Sequence, residues 1–496
     1  MNLSKPEKSQ PALELVTQLC RELKASKIIY CHWKSNSKLD RSASGENDLD
    51  LLVSRSCIQQ FTEILYRLGF KQAYDPPEGQ LPGVLDYYGF DQPTRKFVHV
   101  HAHYQLIMGH DATKNYHFPI ERQYLESIIQ DRLFNIPAVE FEFIVLVIRM
   151  MIKHSTWDMV LLGNAGLSDS ERQELDYLQE RISQSRINEI LKSILPSLDE
   201  SLFSKCQQSL TSKRSLLFRL RTGEELRRQL KANARRSWTA DIFLKVWRRF
   251  AGGIRRRVFR STNRKRMTSG GLMIAIIGGD GSGKTTAING LYDWLSEEFE
   301  IKKLHMGKPR WSIITIFVRG MVKIGRSFGL YPFMKEGSEY SINTNSPAFP
   351  GYPWLIREVC TARDRYLTYV SGRRFATNGG LVLCDRFPVS AIKIMDGPQV
   401  ERVTNAIKTN RMIRFLARLE EKYYRRIYLP DLLITLRVDP EISVQRKTDE
   451  TADSVRSRAG EIWNVDWSKT PAHIIDASRT KTEVLSDLMN LIWSYL

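Results

Sequence analysis

Met273–Ile288 reads MIAIIGGDGSGKTTAI. A short apolar run rich in isoleucine ends in glycines, and a helical pattern, TTAINGLYDWLSEEF, follows at once. The first pattern is that of a buried strand, the second that of a helix. Between them, Gly278-Gly279-Asp280-Gly281-Ser282-Gly283-Lys284-Thr285 satisfies the phosphate-loop spacing G-x-x-x-x-G-K-[ST]. Glycines there let backbone N–H groups turn inward around phosphate oxygens, and the helix N-terminus adds partial positive charge. Lys284 is placed to bridge β- and γ-phosphates, and Thr285 to ligate Mg²⁺. ATP and Mg²⁺ are therefore the expected cofactors. Gly278, Asp280, Gly281, Ser282, Gly283, Lys284, Thr285 and Thr286 are the expected binding residues.

Outward from the loop, strand and helix keep alternating. LMIAIIG, GLVLCDRF and DLLITLRV are apolar runs of the kind found in buried parallel strands. HIIDAS gives a last short strand before the helix EVLSDLMNLIWSYL. Residues 269–496 thus read as an α/β domain with a parallel sheet.

The inner residues of the loop narrow the class. GGDGSGKTT resembles the phosphate loop of thymidylate kinases, G-x-D-G-[AS]-G-K-[ST]-T. Three further blocks follow in that family's order. CTARDRYLTYV is similar to its acceptor-site helix, GGLVLCDRFPVSAI to its strand ending in Asp-Arg-aromatic, and PDLLITLRVDPEISVQRK to its P-D-x-x strand and continuation. The resemblance implies phosphoryl transfer from ATP, with Lys284, Asp385 and Arg386 catalytic and Thr285 and Asp385 managing the metal. It implies substrate contacts from Asp364 and Arg365, and a basic lid containing Arg446, Lys447, Arg456 and Arg458. Arg357 is the candidate clamp for an acceptor phosphate. A nucleoside monophosphate such as dTMP is the default acceptor. The segment from His305 to Val359 departs from the family pattern, so a sugar or sugar phosphate is the alternative. The family also implies a homodimer, unless the fused domain blocks its interface.

The chain is too long, at 496 residues, for one ordinary core. Residues 1–137 mix helix and strand patterns. NDLDLLV alternates as a strand does, and VLDYYGFDQPTRKFVHVHAHYQL reads as a hairpin around DQPT. Asp48 and Asp50 then point to one face, as paired carboxylates that hold Mg²⁺ do. This stretch resembles the core of the nucleotidyltransferase superfamily that includes polymerase beta, which implies Asp48 and Asp50 as metal ligands. Two departures stand out. Trp33-Lys34-Ser35-Asn36 occupies the place of that family's Gly-Ser element, and its third carboxylate is missing from the later strand. His99, His101 and His103 share one face there, and imidazole suits Zn²⁺ or Mn²⁺ better than Mg²⁺. An active transferase with an altered metal site, a binding remnant, and a merely polar face are all open readings.

Residues 138–268 read as a helical, basic connecting region. AVEFEFIVLVIRMMIKHS is apolar and long enough for a buried helix, and SDSERQELDYLQERIS opens with Ser168 or Ser170 as cap. The net charge is +19, and residues 213–268 hold 19 Lys and Arg against 3 Asp and Glu. Ile242, Phe243, Val246, Trp247 and Phe250 fall at helical spacing with Lys and Arg opposite. That composition fits an interfacial helix on an anionic membrane, and equally a helix packed on its own domain. Nucleic acid is the weaker alternative partner, and a nucleotide-gated membrane or nucleic-acid adaptor is the alternative function. No N-terminal signal pattern and no apolar window long enough to span a bilayer occur. The six cysteines form no CxxC pair. The expected setting is the cytoplasm, at a membrane surface if the basic segment binds lipid.

Overall fold

The computed structural model describes residues 11–77, 79–110, 113–157, 166–211, 215–257, 264–328, 351–389, 391–392, 397–400, 410–448 and 450–496. Parts of the basic segment (212–214 and 258–263) and of the divergent acceptor segment (329–350) lie outside them. The chain forms two compact units, Met1–Asn263 and Arg264–Leu496.

In the first unit the main elements are α1 (Glu14–Ala25), β1 (Tyr30–His32), β2 (Leu49–Val53), α2 (Ile58–Arg67), β3 (Lys71–Tyr74), β4 (Val84–Asp91) and β5 (Lys96–His103). The strands run in the order β1-β2-β5-β4-β3. β2 and β5 are parallel, and the other neighbours antiparallel. β4 and β5 form the expected hairpin, its turn tied by Thr94, whose N–H and hydroxyl both donate to Asp91. Strand alternation divides the side chains between two cores. Leu49, Leu51 and Val53 of β2 and Val98, Val100 and Ala102 of β5 pack with α1 and α2. Leu52 packs on the opposite face with the helices that follow. Asp50, two residues before Leu52, shares that second face, as do His99, His101 and His103.

The second face is covered by α3 (Val139–His154), α4 (Asp169–Gln179), α5 (Gln184–Ile194), α6 (Glu200–Thr211) and α7 (Leu216–Gln229). α3 is apolar on nearly every side and forms the spine of this layer. Each large apolar side chain it buries is worth about 1.5–3 kcal/mol. Ser168 caps α4 in a reciprocal capping box with Glu171.

Two acidic residues enter this apolar layer to hold the loop after β1. Glu142 accepts the Asn36 N–H at 3.2 Å, and Glu174 accepts the Ser35 N–H at 3.0 Å. Ser35 itself has φ +59°, a strained value for a residue with a side chain.

The last helix of the unit, α8 (Trp238–Arg257), is turned inside out. Asp241 and Lys245 recur at helical spacing on its inner side. Lys245 is only 9% exposed, and with Asp241 it faces a cavity shared with Asn115 and Tyr116. Ile242, Phe243, Val246, Trp247 and Phe250 are exposed, Phe243 to 70%.

The second unit contains β6 (Met273–Gly278), α9 (Lys284–Ser296), β7 (Ile301–His305), α10 (Ile313–Ser327), α11 (Tyr352–Thr377), β8 (Leu381–Asp385), α12 (Arg411–Tyr424), β9 (Leu432–Arg437), α13 (Pro440–Arg446), α14 (Ala452–Asn464), β10 (Ala472–Asp476) and α15 (Lys481–Tyr495). Its sheet runs β7-β8-β6-β9-β10 and is parallel throughout. The fold is therefore α/β with a parallel sheet, as the sequence predicts. The edge strand β7 was not expected. IKKLH carries lysines where a central strand carries valines, which is how sheet edges are protected. No described helix is long and apolar enough to cross a membrane.

Burial pushes the Glu142 carboxyl up to about 7 from 4.5. An acid raised in the folded state weakens the fold as pH climbs, because only the unfolded chain ionises between those values. The Glu142 contribution to stability should therefore fall from pH 4.5 to 7 and then level. Glu142→Gln keeps the acceptor for Asn36 without the charge. Thermal melts should show it more stable than wild type by about 1–3 kcal/mol at pH 8, with the gain vanishing toward pH 4.5.

Candidate functional site

β6 ends at Gly278, and the chain turns through the glycine loop into α9. Gly281 has φ +76°, and a Cβ there would stand 2.7 Å from the Ser443 carbonyl oxygen. Gly283, the residue before α9, has φ +83°. Only glycine meets both requirements without strain. Lys284 is buried and donates to the carbonyls of Gly278 and Gly279 at 2.8 and 2.6 Å.

Sheet register brings further groups to the loop. Ile276 of β6 pairs with Asp385 at the end of β8, and Asp385 pairs with His305 at the end of β7. Ligand sites of open α/β sheets form at these carboxyl ends. Asp280, Gly281, Gly283, Lys284, Thr285, Thr286, His305, Asp385, Arg386 and Lys447 line one cleft of about 300 Å³. Asp385 Oδ1 is buried with no hydrogen-bond partner among the described residues, and His305 Nε2 stands 3.8 Å from Oδ2. Arg386 adopts φ +56°, the left-handed region that a bulky residue rarely enters.

Three cations converge on Asp280, which is 4% exposed. Arg458 Nε lies 2.9 Å from its carboxylate, Arg386 Nη2 3.7 Å and Lys447 Nζ 3.9 Å. Lys447 and Arg458 also pair with Glu450, whose carboxyl they hold below its usual range.

The remaining basic residues sit elsewhere. Arg446 donates to the carbonyls of Ala477 and Ser478 at 2.8 and 3.0 Å. It lines a neighbouring cavity of about 270 Å³ with Ser282, Gly283, Thr286, Ala287, Val484 and Leu485. Arg456 is paired outward with Glu441 and Asp453. Arg357 is bound to Glu358 at 2.7 Å. Asp364 and Arg365 are buried. Asp364 accepts the Ser312 N–H at 2.9 Å, one residue before α10. Arg365 donates to the carbonyl of Met306 at 2.7 Å and to the hydroxyl of Tyr424. Both thus hold the chain that leaves β7, and neither lines the cleft.

On the first unit, the carboxylates and imidazoles of the second sheet face meet. Asp86 of β4, opposite His101 in the hairpin register, supplies a third carboxylate. His99 lies between Asp48 and Asp86, at 2.9 and 2.8 Å. Burial disfavours its charge, but the two carboxylates outweigh that and raise it to about 9. Asp50 is paired instead with Lys34 at 2.8 Å. Burial would raise its carboxyl, yet Lys34 and the imidazoles of His101 and His103 hold it well below the usual range. Asp48 and Asp50 therefore share a face but serve different cations. Asp86 and Lys34 were missed by sequence reasoning. Counting back from the DQPT turn would have found Asp86.

No protein-family model matches the chain. The chain is similar to the uncharacterized ATP-binding protein YghR of Escherichia coli (strain K12), with 26% identity over 236 residues, 44% of this chain and 86% of that protein. It is also similar to the uncharacterized ATP-binding protein YghS of the same strain, with 24% identity over 228 residues, 45% of this chain and 93% of that protein.

Gly281→Ala should destabilise the second unit by about 1–3 kcal/mol, because both φ and the Ser443 carbonyl oppose a methyl group. A lowered thermal midpoint with weakened nucleotide binding is the expected readout. An unchanged midpoint would mean the loop relaxes freely.

Proposed function

We propose that the second unit is a thymidylate kinase-like enzyme that transfers the γ-phosphoryl group of ATP to a small acceptor, by default a nucleoside monophosphate such as dTMP. The observation that carries this reading is the single cleft uniting the phosphate loop with Asp385, Arg386 and Lys447. The similarity to two proteins named as ATP-binding supports the choice of nucleotide.

In this reading ATP lies across the two adjoining cavities that share Gly283 and Thr286. Its base enters the one lined by Val484, Leu485 and Arg446, whose planar guanidinium can stack on it. Its phosphates follow the loop. Lys284 exchanges the carbonyls of Gly278 and Gly279 for phosphate oxygens. Thr285 and Asp385 are the residues that would hold Mg²⁺, and the unpartnered Oδ1 of Asp385 fits that role. When bound, the ion offsets charge on the β- and γ-phosphates. An oxygen of the acceptor attacks the γ-phosphorus, the bond to the bridging oxygen breaks, and ADP leaves. If the acceptor is a hydroxyl, Asp385 stands where it can take the proton. Arg386, Lys447 and Arg458 supply positive charge for the equatorial oxygens, where such reactions need it most.

The test is ADP production by the full chain against dTMP, other nucleoside monophosphates, sugars and sugar phosphates. Turnover should require an acceptor and fall roughly 100-fold or more in Lys284→Ala. Turnover with a sugar in place of dTMP would keep the kinase and reassign its acceptor. Hydrolysis indifferent to every acceptor would defeat the kinase reading.

A second reading concerns location. α8 turns its apolar face to solvent, and the basic segment around it carries a large excess of positive charge. We propose that this helix rests on an anionic lipid surface, where aromatic side chains enter the headgroup boundary and lysines and arginines meet lipid phosphates. Vesicles of phosphatidylcholine with phosphatidylglycerol should sediment the full chain at low salt, and less of it at high salt. The exposed double change Phe243→Ser, Trp247→Ser should abolish co-sedimentation. Binding unaffected by that change, or α8-dependent dimers in place of lipid binding, would overturn this proposal. We also propose that residues 1–137 form a minimal nucleotidyltransferase-like domain.

A further inference from the structure

The kinase reading uses the second unit alone. The polar cluster on the sheet of the first unit is a separate constellation, and three of its groups stand as ligands of one ion stand. Asp50 Oδ1 lies 3.3 Å from His101 Nδ1 and 3.6 Å from His103 Nε2. A tetrahedral site with bonds of about 2.05 Å has edges of about 3.3 Å, so both separations suit a shared ion. One ligand atom from each of the three residues lies within 4.8 Å of the other two.

The independent observation is His103. It is 4% exposed, and among the described residues neither ring nitrogen has a hydrogen-bond partner, the nearest acceptor being Asp50 Oδ1 at 3.6 Å from Nε2. Leaving a buried polar group unsatisfied costs about 1–3 kcal/mol. The ring nonetheless aims Nε2 at Asp50, beside a cavity of about 250 Å³ that all three residues line. A ligand from outside the protein accounts for this arrangement.

The donor set names its class. Two imidazoles and one carboxylate suit Zn²⁺ and its first-row neighbours, whereas Mg²⁺ prefers oxygen alone. Three protein ligands leave a coordination position open, which is the pattern of a working site. Lys34, Lys114, Arg149 and Lys153 line the same cavity; one further carboxylate there, Glu171, pairs with Lys153 at 3.1 Å, and Arg149 stands 3.6 Å from Glu174. Four cations around an open metal position fit a phosphate group. Asp48 takes no part, because His99 holds it.

We propose that Asp50, His101 and His103 bind one divalent transition ion of the zinc class, whose open position, with the four neighbouring cations, takes a phosphate-bearing small molecule. At Asp50 Oδ1 the ion replaces the Lys34 ammonium, which turns to the phosphate.

The test begins with the full chain stripped by a chelator. Calorimetric titration with Zn²⁺ should give one tight site per chain. Asp50→Asn and His103→Ala should each weaken it by about tenfold or more. Co²⁺ should develop visible absorption in wild type and lose it in His103→Ala. Circular dichroism checks folding. If His103→Ala unfolds, His101→Gln, on a more exposed residue, replaces it. Zinc affinity unchanged in these variants, no stoichiometric binding, or competition by equal Mg²⁺ would overturn the metal assignment. Pyrophosphate serves as the anion probe, with every sample carrying Lys284→Ala so that the phosphate loop of the second unit does not take it up. It should bind the zinc-loaded chain and bind more weakly to the stripped chain and to Lys34→Ala. Equal binding in all three, or none, would overturn the ligand class.

Discussion

The buried carboxylate of Asp280 is the point on which the cleft depends. Arg386 comes from the end of β8, Lys447 from the turn after α13 and Arg458 from α14. Three like charges at this range repel one another, and opposite charge beside them is what makes the arrangement stable. Glu450 pairs with Lys447 and Arg458 from outside, and one carboxylate meets all three. Asp280 supplies that charge from within the phosphate loop itself. It thus ties the loop to the end of a strand and to the two helices that follow β9.

The first unit solves a related problem with the opposite balance. Carboxylates and imidazoles occupy one sheet face, and the loop bearing Lys34 is held from behind by Glu142 and Glu174 of the helical layer. Those helices thus do more than join the two ends of the chain. They form one wall of the cavity and fix the strained turn that aims Lys34 at Asp50. What a sequence reading treats as a connection is, in the fold, the support of the site.

Much of this was legible from spacing. The phosphate loop carries its own context of strand and helix, and period-two alternation puts Asp50, His101 and His103 on one face. Other features depend on contacts between distant residues. The family resemblance implies substrate contact for Asp364 and Arg365, and in the fold they hold the chain beyond β7. Arg446, Arg456 and Arg458 look alike in sequence. One seats beside the second cavity, one pairs outward and one reaches Asp280. His305 was hidden because its strand lies at a sheet edge and reads as polar. The outward face of α8 was visible as a stripe, but the direction in which it points was not.

Calorimetric titration of the full chain with Mg·ATP, beside the same titration of Lys284→Ala, tests the central claim most directly. Wild type should show one site per chain, with an affinity lower by about tenfold or more when the lysine is removed. A chain that takes up no ATP, or binds it equally well without Lys284, would contradict the assignment of this cleft to a nucleoside triphosphate.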